Sequence, residues 1–296
     1  MKSILLKLVA ALWLIPPAFL VAGPPEPPSG WTEGYVMANG IRLHYWRTGG
    51  DKPVMVMAHG FSDDGLCWTQ LAVELTDQFD LILFDARGHG LSDAPNRSDP
   101  ADAQVEDLAG LIKALELKNP ILMGHSMGSA SVAWFAARYP DVPKAIILED
   151  PRLVGRSPLS SGEVSEEDLK KRAATILEQN NKTYDEIVEH GLKQNPSWGE
   201  AEIRIWAASK QRHHPNLVYR TFSQDRPSTS DLFKKITCPT LILKADAGEK
   251  LRRENEQVAA HLKNGKLVHI ESAGHNVRRE QKERLLQALM PFLHSL

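Results

Sequence analysis

Gly124-His125-Ser126-Met127-Gly128 is the segment of this chain whose residue types and spacing could do chemistry. It follows the apolar run Pro120-Ile121-Leu122-Met123 and opens a helix-like stretch from Ser129 to Arg138. Strand, G-x-S-x-G and helix in that order form a nucleophile elbow, a strained turn that lifts a serine Oγ out of a sheet edge. Glycines flank the serine because neighbouring Cβ atoms would collide in so tight a turn. A serine hydroxyl is inert at its own pKa, so a base must take its proton. His275, in Ala273-Gly274-His275-Asn276, is the candidate base. Two carboxylates at the ends of apolar runs, Asp150 and Asp246, could orient it.

The elements that must position these groups are legible as alternating runs. Ile41-Arg42-Leu43-His44-Tyr45-Trp46 alternates as a half-buried strand does. Val54 to Ala58, Leu81 to Phe84, Ala145 to Leu148, Thr240 to Leu243 and Leu267 to Ile270 are continuous apolar runs of the kind found in buried parallel strands. Between them lie stretches with 3-4 apolar spacing. One runs through Trp68, Leu71, Ala72 and Leu75, and another covers about 100–117 through Val105, Leu108, Ala109, Ile112 and Leu115. Helices are also expected over about 254–262 and 281–293. Strands alternating with helices predict an α/β fold, a mostly parallel sheet with helices on both faces. Residues 152–232 break the pattern. They hold Glu/Lys-rich helical segments over 166–180 and 184–193 and no strand-like run, so they read as a helical cap. The core then comprises residues 34–151 and 233–296.

The N-terminus subtracts from the fold. Lys2 and Lys7 precede Leu8 to Ile15, then two prolines, then Ala18 to Gly23. A basic head, a short apolar run and small residues predict a signal peptide over 1–22 and a secreted or periplasmic protein. An uncleaved membrane anchor is the alternative reading. Residues 23–33 form a Pro-rich linker. The remaining chain, about 265 residues, suffices for one α/β domain with an insertion. A net charge of −2 and the lack of a long basic stripe argue against nucleic acid as partner. The two cysteines, Cys67 and Cys238, are expected as free, mostly buried thiols, and no metal-binding spacing appears.

Taken together these features resemble the α/β-hydrolase superfamily. The matching pieces are His59-Gly60-Phe61 after the third strand, Asp85-Ala86-Arg87-Gly88-His89-Gly90 after the fourth, the elbow, and Gly274-His275-Asn276 after the last. The resemblance covers residues 34–296, and it is to the serine-nucleophile esterase and amidase type, with N-formylmaleamate deamidase-like and epoxide-hydrolase-like members among its relatives. It implies Ser126 as nucleophile, His275 as base, and backbone N–H groups of Phe61 and Met127 as the oxyanion hole. The order Ser, acid, His fits the superfamily. Many relatives place the acid after the seventh strand, at a position that here falls on Gly248, with Asp246 nearby. One group of haloalkane dehalogenases and N-formylmaleamate deamidase are similar in placing it where Asp150 stands. Asp150 is preferred and Asp246 is the alternative. His59 is expected to shape the oxyanion turn, His125 to pack sideways, and Asp85 and Arg87 to brace the floor of the site. His213-His214 is read as loop.

The implied reaction is hydrolysis of a small, apolar or aromatic carboxylic ester, with amides or lactones as neighbours, needing no cofactor and no metal. Its partner is a small-molecule substrate, with no stable membrane association after signal cleavage. The alternative is a carbon–carbon bond hydrolase, a lyase or a cofactor-free perhydrolase on the same residues. Serine at the elbow argues against dehalogenases and epoxide hydrolases, whose nucleophile in this superfamily is aspartate. Trp198, Trp206, Tyr219 and Phe222 are either cap core or a pocket roof.

Overall fold

A computed structural model describes residues 23–154, 165–221 and 226–296. The expected signal segment and Phe222 lie outside these residues. Eight strands form one sheet: Thr32–Ala38 (β1), Ile41–Arg47 (β2), Val54–Ala58 (β3), Asp80–Phe84 (β4), Ile121–His125 (β5), Ala145–Glu149 (β6), Thr240–Lys244 (β7) and Gly265–His269 (β8). The spatial order is β1-β2-β4-β3-β5-β6-β7-β8, with β1 and β2 antiparallel and every pair from β4 to β8 parallel. Most strands that read as continuous apolar runs are central, and β4, β5 and β6 are buried along their whole length, whereas the run Leu267 to Ile270 falls at the edge strand β8, which is only partly buried. The sheet centre is the cost-free place for such runs, because helices cover both faces of a parallel sheet.

The helices are Thr69–Leu75 (α1), Ala103–Ala114 (α2), Met127–Arg138 (α3), Glu166–Asn180 (α4), Tyr184–Gln194 (α5), Glu200–Lys210 (α6), Leu217–Thr221 (α7), Thr229–Phe233 (α8), Glu249–Ala259 (α9), Val277–Glu280 (α10) and Lys282–His294 (α11). Two apolar clusters result. One packs α2 and α3 side chains such as Leu108, Val132 and Phe135 against one sheet face; the other packs Trp68, Leu71, Leu285 and Leu289 against the opposite face. Each fully buried Leu or Phe of this kind stabilises by about 1.5–3 kcal/mol relative to an exposed one.

Four details differ from expectation. β1 is a full strand, paired with β2 through Asn39 (φ 48°) and Gly40 (φ 76°), the two left-handed residues of a tight hairpin. α2 ends at Ala114, because Glu116 at φ 52° turns the chain out of the helix. α9 starts at Glu249 rather than 254, since its first turns are charged and carry little apolar periodicity. Within 152–232, α4 to α7 hold the cap, but α8 packs on α3 and α9, and its Phe233 belongs to the main core. Cys67 and Cys238 are free and buried.

Candidate active site

The elbow joins β5 to α3. Ser126 sits at the N-cap of α3 with φ 51° and ψ −107°, a conformation costly to a residue with a Cβ. The glycines make the turn sterically feasible. A Cβ on Gly124 would lie 2.5 Å from the Gly128 carbonyl carbon, and one on Gly128 would fall on the Ala58 carbonyl oxygen. The turn is held from both sides: Ser126 N donates to Glu149 O at 3.0 Å, and Ala130 N to Ser126 O at 3.1 Å.

Ser126, His275 and Asp150 form one hydrogen-bonded chain. His275 Nε2 lies 2.9 Å from Ser126 Oγ, and His275 Nδ1 lies 2.5 Å from Asp150 Oδ2. Asp150 follows β6 directly, in a left-handed conformation with φ 42° that turns its carboxylate toward the β8 end of the sheet. Its other oxygen, Oδ1, accepts from Lys244 Nζ and from the Ala245 N–H at 3.1 Å. Burial works against the Asp150 charge. The bond from His275, the charge and bond of Lys244 and the Ala245 N–H outweigh burial, and hold its carboxyl below the usual range. Asp246 stands apart from this chain. Its oxygens accept from Ser272 N, Arg252 and Ala247 N, which pull its pKa down to about 2. Gly248 is the N-cap of α9.

Phe61 and Met127 line the same cleft as Ser126. Met127 is the first residue of α3, so its N–H has no partner within the helix, and the helix dipole adds positive character there. Phe61 follows β3 in a loop with a dense set of supports. The Ala86 N–H donates to His59 Nε2 at 2.9 Å, which leaves the proton on Nδ1 to donate to Gly60 O at 2.8 Å. His89 Nε2 donates to Phe61 O at 2.5 Å. His213 lies in the loop between α6 and α7, as expected, but its ring is not solvated. It is buried, stacked on His89 with ring centroids 4.9 Å apart and edge-on to Phe61 at 4.8 Å. Burial pushes its pKa down to about 3, so it packs as a neutral ring. His125 Nε2 donates to the His275 carbonyl at 2.9 Å, bracing the histidine loop from beneath. Asp85 accepts from Gly65 N and Leu91 N, and Arg87 bonds Asp107 and Asp99.

Two features were not read from the sequence. The first is Lys244, a lysine closing the apolar strand β7, which its contact with Asp150 explains. The second is a buried ionic lattice around Asp63. Arg278 Nη2 and Arg279 Nη1 reach Asp63 at 3.1 and 3.2 Å. Arg278 also bonds Glu149, and Arg279 bonds Glu202 of α6 at 2.5 Å. Lys210, at the end of α6, donates to Ser62 O. Burial opposes the Asp63 charge, but Arg279, Lys210 and Arg278 outweigh it and hold the carboxyl well below its usual range. The lattice ties the Phe61 loop, the segment after His275 and the cap to one another. The only sequence signal was the Arg278-Arg279 pair directly beyond His275.

Ser126 opens on a cleft of about 900 Å³, lined also by Phe61, Met127, Trp134, Asp150 and His275. Trp198 and Trp206 pack with Ile187, Val188, Ile203 and Ala207 in the cap's own core. The aromatic surface of the cleft comes instead from Trp134, Phe61 and Phe233. Among the described residues no group of three His, Cys, Asp or Glu side chains is close enough to hold a metal ion.

Comparison with known proteins agrees with this architecture. The profile of the Alpha/beta hydrolase family matches residues 55–288. Epoxide hydrolase 1 of Caenorhabditis elegans is 27% identical over 294 residues, covering 90% of this chain and 71% of its own length. A bifunctional esterase/perhydrolase of Acinetobacter calcoaceticus is 26% identical over 287 residues, covering 88% of this chain and 100% of its own. Among solved structures, a thermophilic esterase from Thermogutta terrifontis superposes with a TM-score of 0.68 at 26% identity, covering 89% of this chain and 98% of its own. The matched residues run from the third strand through the elbow and past His275, so the chain belongs to the alpha/beta hydrolase family.

Proposed function

We propose that the protein is a serine hydrolase of small carboxylic esters, working through Ser126, His275 and Asp150. The observation that carries this reading is the unbroken chain Ser126 Oγ–His275–Asp150 at a strained elbow facing the cleft. His275 takes the Ser126 proton as Oγ attacks the ester carbonyl, and the N–H groups of Phe61 and Met127 receive the developing oxyanion. One such donor is worth about 10²–10³ in rate. His275 then protonates the leaving alcohol, and in a second half-reaction activates the water that clears the acyl-enzyme. Asp150 keeps the imidazole in the required tautomer and stabilises the imidazolium. Amides and lactones present the same carbonyl to the same groups. Trp134, Leu232 and Phe233 in the cleft lining favour an apolar or aromatic acyl portion.

Chemistry separates this reading from the epoxide hydrolase likeness. An epoxide opened by a carboxylate gives an ester, which water can cleave at its carbonyl. Opened by Ser126 Oγ it would give an ether with no carbonyl to attack, and turnover would stop. The likeness to a bifunctional esterase/perhydrolase favours a second reading, in which hydrogen peroxide replaces water in clearing the acyl-enzyme. The test is to label the protein with a fluorophosphonate and to assay p-nitrophenyl esters with and without peroxide. Ser126→Ala should lose both labelling and turnover while melting as the parent does, since only one oxygen is removed. Ester hydrolysis near the parent rate in that variant would overturn the assignment.

A further inference from the structure

The charge inside the cleft does not match the charge of the chain. The protein carries a net −2, yet among the described residues lining the cleft Asp150 is the sole carboxylate, against Arg152, Arg226 and Lys244. Lys244 is consumed by Asp150. Two guanidinium groups remain. Arg152 is exposed to solvent, which stabilises its charge without a partner. Arg226 is half-buried, and its Nε is fully buried with no hydrogen-bond partner among the described residues. A buried, unsatisfied cationic donor costs several kcal/mol, so it is retained only where something offsets that cost.

The contrast with Arg279 defines the anomaly. Burial disfavours the Arg279 charge too, but Asp63 and Glu202 outweigh it and push its pKa up. At Arg226 no described residue opposes burial, and the guanidinium is pulled below its ordinary value. The natural complement to a planar five-donor cation facing a cavity is a carboxylate, which it can bind through two parallel hydrogen bonds. No described residue supplies one.

We infer that Arg226 is the carboxylate-binding subsite of the cleft, so that the substrate attacked by Ser126 is an anionic ester: one that carries, besides the scissile ester, a free carboxylate. This rests on the hydrolase reading above and narrows its substrate class. The carbon skeleton between the two groups lies along Trp134, Leu232 and Phe233. The Arg226-bound carboxylate takes no part in bond making; it fixes which carbonyl meets Ser126 and gives up its water to the guanidinium on binding.

The experiment compares monomethyl glutarate with dimethyl glutarate at pH 7, together with fluorophosphonate labelling, in the parent, Arg226→Gln and Arg226→Lys proteins. The parent should favour the monoester in kcat/KM by about tenfold, the size of one charge-assisted pair. Arg226→Gln should lower the monoester value about tenfold more than the diester value, mainly through KM, and raise the melting temperature because an uncompensated cation is gone. Arg226→Lys should recover part of the preference. A parent that favours the diester, or an Arg226→Gln protein that loses both substrates equally or melts lower, overturns the subsite while labelled Ser126 preserves the hydrolase reading. A parent in which Ser126 is not labelled and neither ester is cleaved overturns both.

Discussion

Asp150→Asn should lower turnover by up to about 10⁴, or about 5.5 kcal/mol of barrier, and the local hydrogen bonds explain why the loss cannot be evaded. An asparagine could in principle present its carbonyl oxygen to His275 Nδ1 and preserve the tautomer. Here it is prevented. Oδ1 accepts from two donors, Lys244 Nζ and the Ala245 N–H, and neither can accept a hydrogen bond from an amide NH₂. The amide oxygen must therefore occupy the Oδ1 position, which aims the NH₂ at His275 Nδ1. That nitrogen then becomes the acceptor, the ring proton moves to Nε2, and Nε2 can no longer take the Ser126 proton. Asp246→Asn should cost far less, because among the described residues the Asp246 carboxylate bonds Arg252 and the Ser272 and Ala247 N–H groups and not His275. The assay is kcat for a p-nitrophenyl ester per fluorophosphonate-titrated site, on variants shown to be folded by their melting curves. Asp150→Asn within tenfold of the parent would refute the tautomer argument. A larger loss in Asp246→Asn would move the acid to that residue.

Glu202→Gln should destabilise the protein by roughly 3 kcal/mol, since among the described residues it leaves the buried Arg279 with Asp63 as its one carboxylate; an unchanged urea midpoint would refute this. Asp64, buried with an unpartnered Oδ1, has its pKa raised to about 7 by burial and by the nearby Asp85. Between about pH 4, where an unfolded aspartate titrates, and pH 7 the folded state therefore holds a proton that the unfolded state lacks. Stability from this residue is full below pH 4 and falls as pH rises, by up to about 1.4 kcal/mol per pH unit. Asp64→Asn should gain on the parent across that window and hold a constant advantage above it. A difference independent of pH, measured by denaturation at pH 4 to 8, would sink the assignment.

Local chemistry decided what the sequence revealed. Continuous apolar runs mark parallel strands covered on both faces, so β3 to β7 and their order along the chain were legible residue by residue, while the run at β8 turned out to be a partly exposed edge strand. Gly124 and Gly128 announced the elbow because only glycine clears the backbone there. The hairpin of β1 and β2 was also written locally, in Asn39-Gly40, though Thr32 to Ala38 alternates too weakly to announce itself. What lay beyond reach depended on residues far apart in the chain. Which carboxylate meets His275 follows from the left-handed turn at Asp150 and from the pairing of β6 with β7, which brings Lys244 beside it. Neither is encoded within a window around Asp150. The lattice of Asp63, Glu149, Glu202, Arg278 and Arg279 draws on four separate segments, and each charge taken alone reads as a solvated surface residue. Arg226 is the same case inverted. One arginine in a polar stretch says nothing, and only the closing of the cleft around it buries its Nε without a hydrogen-bond partner among the described residues. Sequence determines structure by local rules where sterics and burial act within a few residues. The pairing of charges is settled only by the fold, because electrostatic partners are chosen by distance in space.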